Sequence, residues 1–581
     1  MSNAPVPPRM QATDLPSAAS KPAVSQIAPV AAKPPVPKPV LSDEGDSRRR
    51  LRRSVYGILI ALAAGAMIGR VLAVNSADQI ATDKRIIAEA VAAKKQELTS
   101  AVQWKGQSNK ELEELTGSVW QPLLKQRPFL SANDRSRWLT VRALVEKGTY
   151  AIEDYVTDPK TYPNWDTIDA VMHEDSANRA HMYSSKPPIL ATLLAAPYWV
   201  ICKVASAING APVNLGTNPY EIGRGMILFV NVVPIVVYFF VLASLIERYG
   251  RSDWGRIFVM AAAAFGTFLT TFAVALNNHL PAAVCAAITL WAACRIWYDN
   301  ERGAGLFAIA GLFAACTAAF ELPALSFFAL ISIGLLVKAP RRTLLVYSPA
   351  ALVVVAAFFA TNWLAHGSLI PPYAHRDYSE FSGGDQSDRF EYTIKVDSGD
   401  SVTLRGHKEN WYDYEFTRAD GKPVSSYWRP ENRQGIDVGE LSVGKYAANL
   451  LVGHHGIFSL TPIWLLAIPG VLLLWWNDDY GLRDLAILIL LISVVCIAFY
   501  ISRPMADRNY GGMTSGFRWV FWMTPLWLLA VLPTADWLAA RRLSRLLGCV
   551  FLALSVLSAS YPVWNPWSHP WLQNLWIYMG W

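Results

Sequence analysis

Long apolar runs separated by short charged stretches dominate the pattern along this chain. A run of about 20 apolar residues can cross the hydrocarbon core of a bilayer as a helix. The pattern therefore predicts an all-α polytopic membrane bundle of about eleven transmembrane helices. The predicted spans are residues 55–74, 222–247, 254–276, 279–298, 304–320, 323–338, 343–365, 458–475, 483–502, 517–533 and 544–561.

The run over residues 188–206 is also apolar, and the basic residues decide its interpretation. If this run does not span, Arg and Lys concentrate in alternate loops, which the positive-inside rule assigns to the cytoplasm. If it spans, that pattern is inverted. We therefore expect residues 188–206 to form an interfacial helix on the outer surface. The basic residues concerned are Arg248, Arg251, Arg256, Arg302, Lys338, Arg341, Arg342, Arg541, Arg542 and Arg545.

The segments between the apolar runs predict the domain organisation. The Pro-, Ala- and Lys-rich start of the chain is typical of a disordered tail, and the basic block at residues 48–53 places it in the cytoplasm. Residues 75–221 form a large outer loop that opens with a helix over 78–118. Period-two alternation and the Asp420-Gly421 turn signal predict a small β-rich outer insert. The expected domains are residues 1–53 (tail), 54–384 (N-terminal transmembrane module), 385–447 (insert) and 448–581 (C-terminal transmembrane module).

Composition supports a membrane protein and argues against a nucleic-acid-binding one. Charged residues make up 17% of the chain, whereas a soluble protein carries about 25%. The net charge of +7 comes largely from Arg and Lys flanking the apolar runs, so we expect the bilayer as a partner and no nucleic acid. All six Cys lie in apolar runs and none forms a CxxC pair, which indicates small buried side chains.

Polar residues gather at the predicted outer ends of the spans, where a substrate could meet the membrane. Ionisable groups at membrane depth are costly and are functional candidates by default. Each also has a plainer interpretation: Asp134 could cap a helix, His279 and Glu321 could be solvated turn residues, and Arg518 could anchor the chain at the interface. The clusters are residues 133–138, 183–188 and 277–279, Glu321, and residues 509–518.

In their order and spacing these clusters resemble the GT-C class of membrane glycosyltransferases, in particular the lipid A aminoarabinose transferases and protein O-mannosyltransferases. The resemblance covers residues 55–370 and 450–581. It rests on Asn133-Asp134 in the first outer loop, on Tyr183-Ser184-Ser185-Lys186-Pro187-Pro188 before the interfacial helix, and on Tyr510-Gly511-Gly512 with Gly516-Phe517-Arg518-Trp519 before a late span.

The resemblance implies transfer of a sugar from a polyprenyl-phosphate donor to a glycan, lipid or protein acceptor. It places the reaction on the extracytoplasmic face of the plasma (inner) membrane. Asp134 matches the position of the family's carboxylate, and His279 and Glu321, as polar groups at the same outer face, are the other catalytic candidates. The implied donor-phosphate ligands are Arg518, Lys186 and Arg224, and the supporting residues are Asn133, Tyr183, Asn278 and Tyr510.

Two departures from the family pattern leave the use of a divalent metal open. The family's first motif usually has two acids, but here Asn133 precedes Asp134, so no second acid adjoins it. The family's second acid lies in the turn where this chain has Asn277-Asn278-His279. A carboxylate together with His279 and Glu321 could still hold a metal ion.

Two other classes of function fit parts of the pattern. A transporter or flippase of a lipid-linked substrate would show repeated halves and polar groups at mid-depth, whereas here the polar clusters lie at one face. A non-catalytic membrane scaffold that kept the fold would tolerate substitution of Asp134.

Overall fold

The computed structural model describes residues 43–73, 96, 129, 131–377, 388–562 and 565–580. The predicted tail up to residue 42 falls outside these ranges, and so does the predicted helix over 78–118 except at residue 96. The described residues belong to one compact unit, Leu41–Trp581.

Eight helices in the described ranges are long and apolar enough to cross a membrane. Their outer surfaces are strongly apolar, since Leu345 and Leu364 on one of them are 76% and 70% exposed. Such a surface requires lipid around it, so this is the architecture of an integral membrane protein. The eight are Asp46–Ala73, Ile189–Asn209, Pro219–Tyr249, Asp253–Val274, His279–Tyr298, Pro340–His366, Arg483–Ile501 and Arg542–Ser560.

Seven of these helices coincide with predicted spans, and Ile189–Asn209 is the run that was predicted to be interfacial. The predicted late span over residues 517–533 begins as a 3-10 segment, Arg518–Met523, and becomes α-helical only at Thr524–Leu538. The count of eleven crossings therefore stays a prediction. The other predicted spans form shorter apolar helices, Ala304–Phe320, Leu322–Lys338 and Pro462–Trp476.

The first span begins earlier than predicted. Helix α1 runs over Asp43–Ala73, so the last part of the predicted tail, including its basic block, is helical. Arg52 pairs with Glu247 at 2.9 Å and with Asp253 at 2.6 Å, and the Tyr56 hydroxyl donates to Glu247 at 2.8 Å. These contacts with distant helices stabilise a segment whose own composition predicts disorder.

The described part of the first loop folds as two helices, a hairpin and a third, long helix. The first helix, α2 (Ala132–Glu146), begins after Ser131, whose hydroxyl accepts the amide N–H of Asp134 at 3.2 Å. Residues 133–143 of α2 are all buried, although several are charged. The elements are α2 (Ala132–Glu146), α3 (Glu153–Thr157), antiparallel strands β1 (Ala170–Glu174) and β2 (Ala180–Ser184), and α4 (Ile189–Asn209).

The segment predicted to be β-rich contains a four-stranded antiparallel sheet in which each strand pairs with the next along the chain. The strands are β3 (Arg389–Lys395), β4 (Ser401–His407), β5 (Tyr414–Thr417) and β6 (Pro423–Ser425). The predicted turn at Asp420-Gly421 joins β5 to β6, and Gly421 has a φ of +84°, which favours glycine. The tip of the β3–β4 hairpin binds the first loop, where Lys147 donates to Asp397 at 2.5 Å and Lys160 to Asp400 at 2.8 Å.

The remaining helices complete the bundle. Those before the insert are α5 (Pro219–Ile227), α6 (Val233–Tyr249), α7 (Asp253–Phe265), α8 (Phe268–Thr271), α9 (His279–Tyr298), α10 (Ala304–Phe320), α11 (Leu325–Lys338), α12 (Pro340–Arg342) and α13 (Ser348–His366). Those after it are α14 (Val443–Leu451), α15 (Ile457–Leu460), α16 (Ala467–Trp476), α17 (Arg483–Ile501), α18 (Thr524–Leu538), α19 (Arg542–Ser560) and α20 (Trp571–Met579). The π-helical segments Leu228–Val232 and Thr343–Tyr347 continue α5 and α12.

Candidate active site

The buried first turns of α2 present Asp134 and Arg137 one helical turn apart. Arg137 hydrogen-bonds the side chain of Asn133, and its other terminal nitrogen donates to Asn278 Oδ1 at 2.6 Å. Asn278 precedes α9, so this contact joins the first loop to the start of a predicted span.

From Asn278 the hydrogen bonds continue to a histidine and a second arginine. Asn278 Nδ2 donates to Glu321 Oε1 at 2.8 Å, and the same carboxylate oxygen accepts His279 Nδ1. Arg518 Nη1 donates to His279 Nε2 at 3.0 Å. Because an arginine only donates, Nε2 must accept, and the imidazole proton lies on Nδ1 towards Glu321. Glu321 and Arg518 thus fix one tautomer of His279.

Trp567 closes this chain of contacts into a ring. The Arg518 guanidinium lies 4.8 Å from the centroid of the Trp567 ring, and the indole N–H donates to Asp134 Oδ2 at 3.3 Å. We call this set the polar ring. Its members are Asp134, Arg137, Asn278, Glu321, His279, Arg518 and Trp567, and Asp134, His279 and Glu321 are only 2%, 2% and 5% exposed.

Asp134 is the least compensated group of the polar ring. The helix cap is Ser131, so the capping interpretation of Asp134 fails. Its Oδ1 is buried without a hydrogen-bond partner among the described residues. Burial raises the pKa of Asp134 to about 7, against the charge of Arg137 and the bond from Trp567. A carboxyl with this pKa can take up and release a proton near neutral pH.

Lys186 lies next to the polar ring and brings a second carboxylate with it. Its ammonium binds Asp169 at 2.9 Å, and Ser136 of α2 donates to the Asp169 carbonyl at 2.6 Å. Burial alone would raise the pKa of Asp169, but the charges of Lys186, Arg137 and Arg518 outweigh burial and lower it. Burial lowers the pKa of Lys186, and the negative charge of Asp169 acts against this shift.

Asp169 was not predicted from the sequence, because the family pattern places its second acid beside Asp134 or in the turn at Asn277-Asn278-His279. Asp169 directly precedes β1 and is separated from Asp134 by 35 residues. Only the fold, through the bonds from Lys186 and Ser136, brings it to α2.

Arg224 also lies near Asp134, across a small cavity that both residues line. Both residues line a cavity of about 40 Å³ together with Phe129, Trp138 and Tyr220. This volume is enough for more than one water molecule. The Arg224 guanidinium lies 5.8 Å from the centroid of the Tyr220 ring.

Two of the expected supporting residues make their contacts in other clusters. Tyr183 stacks on His173 with ring centroids 4.5 Å apart. Tyr510 stacks on His455 at 4.9 Å, and its hydroxyl accepts Asn449 Nδ2 at 3.3 Å. Asn133 and Asn278, in contrast, bind Arg137 directly.

The described residues contain no group of three or more His, Cys, Asp or Glu arranged to hold a metal ion. Glu321 and His279 bind each other, whereas Asp134 binds Trp567 on the other side of Arg518. The set left open by the sequence, a carboxylate with His279 and Glu321, is therefore not gathered into a three-residue metal site within the described ranges.

No protein-family model and no curated protein matches this chain. Two solved structures are similar to it. The oligosaccharyltransferase of Archaeoglobus fulgidus in the apo form shares 12% identity at a TM-score of 0.33, with 75% of this chain and 51% of that chain covered. The archaeal oligosaccharyltransferase AglB from Archaeoglobus fulgidus, in complex with an inhibitory peptide and a dolichol-phosphate, shares 12% identity at a TM-score of 0.32, with 74% and 51% covered. The chain thus spans about half the length of these proteins, and likeness at this level does not establish a shared activity.

Proposed function

We propose that this protein is a membrane glycosyltransferase that moves a sugar from a polyprenyl-phosphate donor to an acceptor hydroxyl on the extracytoplasmic side. The observation that carries the proposal is the buried polar ring, which includes the guanidinium groups of Arg137 and Arg518. In it, Asp134 has a pKa near neutrality and an oxygen without a hydrogen-bond partner in the part of the chain that the structure describes. Strongly perturbed ionisable groups gathered at one place are typical of catalytic sites.

In the proposed reaction the acceptor oxygen attacks the anomeric carbon of the donor sugar. The bond from that carbon to the phosphate oxygen breaks, and the polyprenyl phosphate leaves with the bonding electrons. The acceptor proton passes to Asp134, whose pKa suits a general base near neutral pH. Product release then returns this proton to water.

The cations beside Asp134 supply what the leaving phosphate needs. Charge develops on the phosphate oxygens as the glycosidic bond breaks, and fixed guanidinium groups stabilise that charge in a site shielded from water. Arg518 suits this task because its planar fork matches two phosphate oxygens. His279 and Glu321 hold Arg518 through the bond at 3.0 Å, so we assign them a positioning role.

A transfer assay with two variants tests this proposal. In membranes containing labelled donor lipid, Asp134→Asn should lower turnover by roughly 10²–10⁴-fold, because it removes the base while keeping the size of the side chain. Arg518→Ala should also raise the KM for the donor, because the guanidinium binds phosphate before and during the reaction. Asp420→Asn and Arg179→Ala, which alter surface ion pairs, serve as matched controls.

The outcome separates the proposal from its two alternatives. Unchanged transfer by Asp134→Asn would move the base role to another group. Transfer that is equal in membranes with and without this protein would favour the non-catalytic scaffold. Movement of intact donor lipid across the membrane without sugar transfer would instead identify a transporter.

A further inference from the structure

The β-rich insert reaches the loop that carries Arg518. The N–H of Glu440 donates to the Arg508 carbonyl at 3.0 Å. Gly439 has a φ of +91°, and a Cβ at this position would lie 2.1 Å from the Met505 carbonyl oxygen. Only glycine permits this approach without displacing the loop. The end of the insert is therefore closely fitted to residues 505–512.

Asp437 joins the two segments through its side chain. Its Oδ1 accepts Asn509 Nδ2 at 2.8 Å, and its Oδ2 accepts the Tyr427 hydroxyl at 3.0 Å. Tyr427 belongs to the insert and Asn509 to the loop that leads to Arg518, so one carboxylate binds both. Burial raises the pKa of Asp437, while the bonds from Tyr427 and Asn509 and the charge of Arg518 act against this.

The bond from Asn509 determines which way its amide faces. Because Asp437 accepts the NH₂ group, the amide oxygen is left to accept the Gly511 N–H at 3.2 Å. The loop needs such a restraint, since Tyr510, Gly511 and Gly512 have φ values of 56°, 94° and 79°. Three successive residues in this region are held only by surrounding contacts.

Gly511 in turn holds Arg518. Its carbonyl accepts Arg518 Nε at 2.9 Å, while Arg518 Nη1 binds His279 at 3.0 Å. Two contacts on different nitrogens fix the plane of the guanidinium. A displacement of the Gly511 carbonyl would therefore rotate the fork that faces the proposed phosphate.

We infer that the insert contributes a positioning residue, Asp437, to the active site. Asp437 orients the Arg518 guanidinium through Asn509 and the Gly511 carbonyl. The insert also binds the first loop through Asp397, and the Arg508 side chain donates to the Glu440 and Leu441 carbonyls. Its contact at Asp437 leads to the polar ring through Asn509, Gly511 and Arg518. The part of this inference that concerns activity rests on the proposed function, and the part that concerns loop order does not.

The test compares three variants of the full-length protein in lipid nanodiscs. Asp437→Ala should increase hydrogen exchange in residues 509–518, and Asp437→Asn should restore protection because its amide oxygen can still accept Asn509. Asp397→Ala is the matched control, because it loosens the insert at the first loop without touching Asn509. Equal exchange in Asp437→Ala and the wild type, or an equal increase in Asp397→Ala, would overturn the inference.

Transfer kinetics provide a second readout. Asp437→Ala should raise the donor KM by about 10-fold or more, since a misplaced group far from the chemistry can cost up to about 10²-fold. The same substitution in an Arg518→Ala background should have no further effect, because its effect passes through Arg518. An additive loss would contradict the positioning role. If Arg518→Ala leaves transfer unchanged, the proposed function fails, while hydrogen exchange still decides whether Asp437 orders the loop.

Discussion

At the scale of single residues, the polar ring places charged side chains in the protein interior, where burial of a charge costs free energy. Asp134 and Glu321 are buried together with the guanidinium of Arg137, and Asp134 retains an oxygen without a hydrogen-bond partner in the described part of the chain. A buried polar group left unpaired costs about 1–3 kcal/mol. A sequence that needed only stability would replace or pair such a group. Its presence therefore agrees with a role in which this oxygen meets a substrate.

The pKa of Asp134 predicts how transfer depends on pH. Only the ionised carboxylate can accept the acceptor proton, so kcat/KM should rise with pH through about 7, the folded-state pKa. Asp134→Asn should remove this rise from its residual activity. A profile measured from about pH 5.5 to about pH 8.5 checks this, and a wild-type profile without an inflection in that range would contradict the base role.

The same group should make stability depend on pH. The pKa of Asp134 rises from an ordinary value of 3.8 to about 7 on folding, so the folded state binds the proton more tightly. Its contribution to the free energy of unfolding therefore falls as pH rises between these values. Relative to the wild type, Asp134→Asn should unfold at a higher temperature at about pH 8 and lose that advantage at about pH 4.

At the scale of elements, small residues bring helices of the C-terminal module into close contact. A Cβ at Gly470 of α16 would lie 1.7 Å from the carbonyl oxygen of Ala530 in α18. Helices in membranes associate through such close backbone approach, because lipid supplies little hydrophobic force between them. Since α18 directly follows the Arg518 segment, this contact also supports the site.

Gly470→Ala should therefore destabilise the protein, although alanine is the better helix former. The added methyl forces α16 and α18 apart, and overpacking of this kind costs about 1–3 kcal/mol. Gly65→Ala in α1 is the matched control, because a Cβ there meets nothing within 4 Å. Thermal unfolding in detergent distinguishes the two. Equal melting temperatures for both variants would show that the α16–α18 contact can relax.

The elements differ in how far the sequence could predict them. Apolar runs of sufficient length predicted the seven coincident long helices, and period-two alternation predicted strands in the insert. The helical start of α1 could not be predicted from local composition, because it depends on the pairing of Arg52 with Glu247 and Asp253. Asp169 and Asp437 were missed for the same reason. Lys186 is 17 residues from Asp169 and Asn509 is 72 residues from Asp437, so no local pattern marks either residue.

At the scale of the whole molecule, the polar ring gathers segments from almost the full length of the described chain. Asp134 and Trp567 are 433 residues apart in sequence and are joined by one hydrogen bond. The first loop, the start of α9, the turn at Glu321, the Arg518 segment and the C-terminal segment all contribute to it. Such a ring forms only when the complete bundle is assembled. Substitutions in either transmembrane module should therefore alter the geometry of the polar ring.

Convergence of these segments requires that they share one side of the membrane, and the basic loops predict that this side is extracytoplasmic. Ser401 on β4 is solvent-exposed, so a cysteine there should react with a membrane-impermeant maleimide added to intact cells. A cysteine at Ser20, in the predicted cytoplasmic tail, should react only after permeabilisation. The six native cysteines, of which Cys549 is exposed, must first be replaced. Labelling of Ser20→Cys but not Ser401→Cys in intact cells would invert the topology and place the polar ring on the cytoplasmic face.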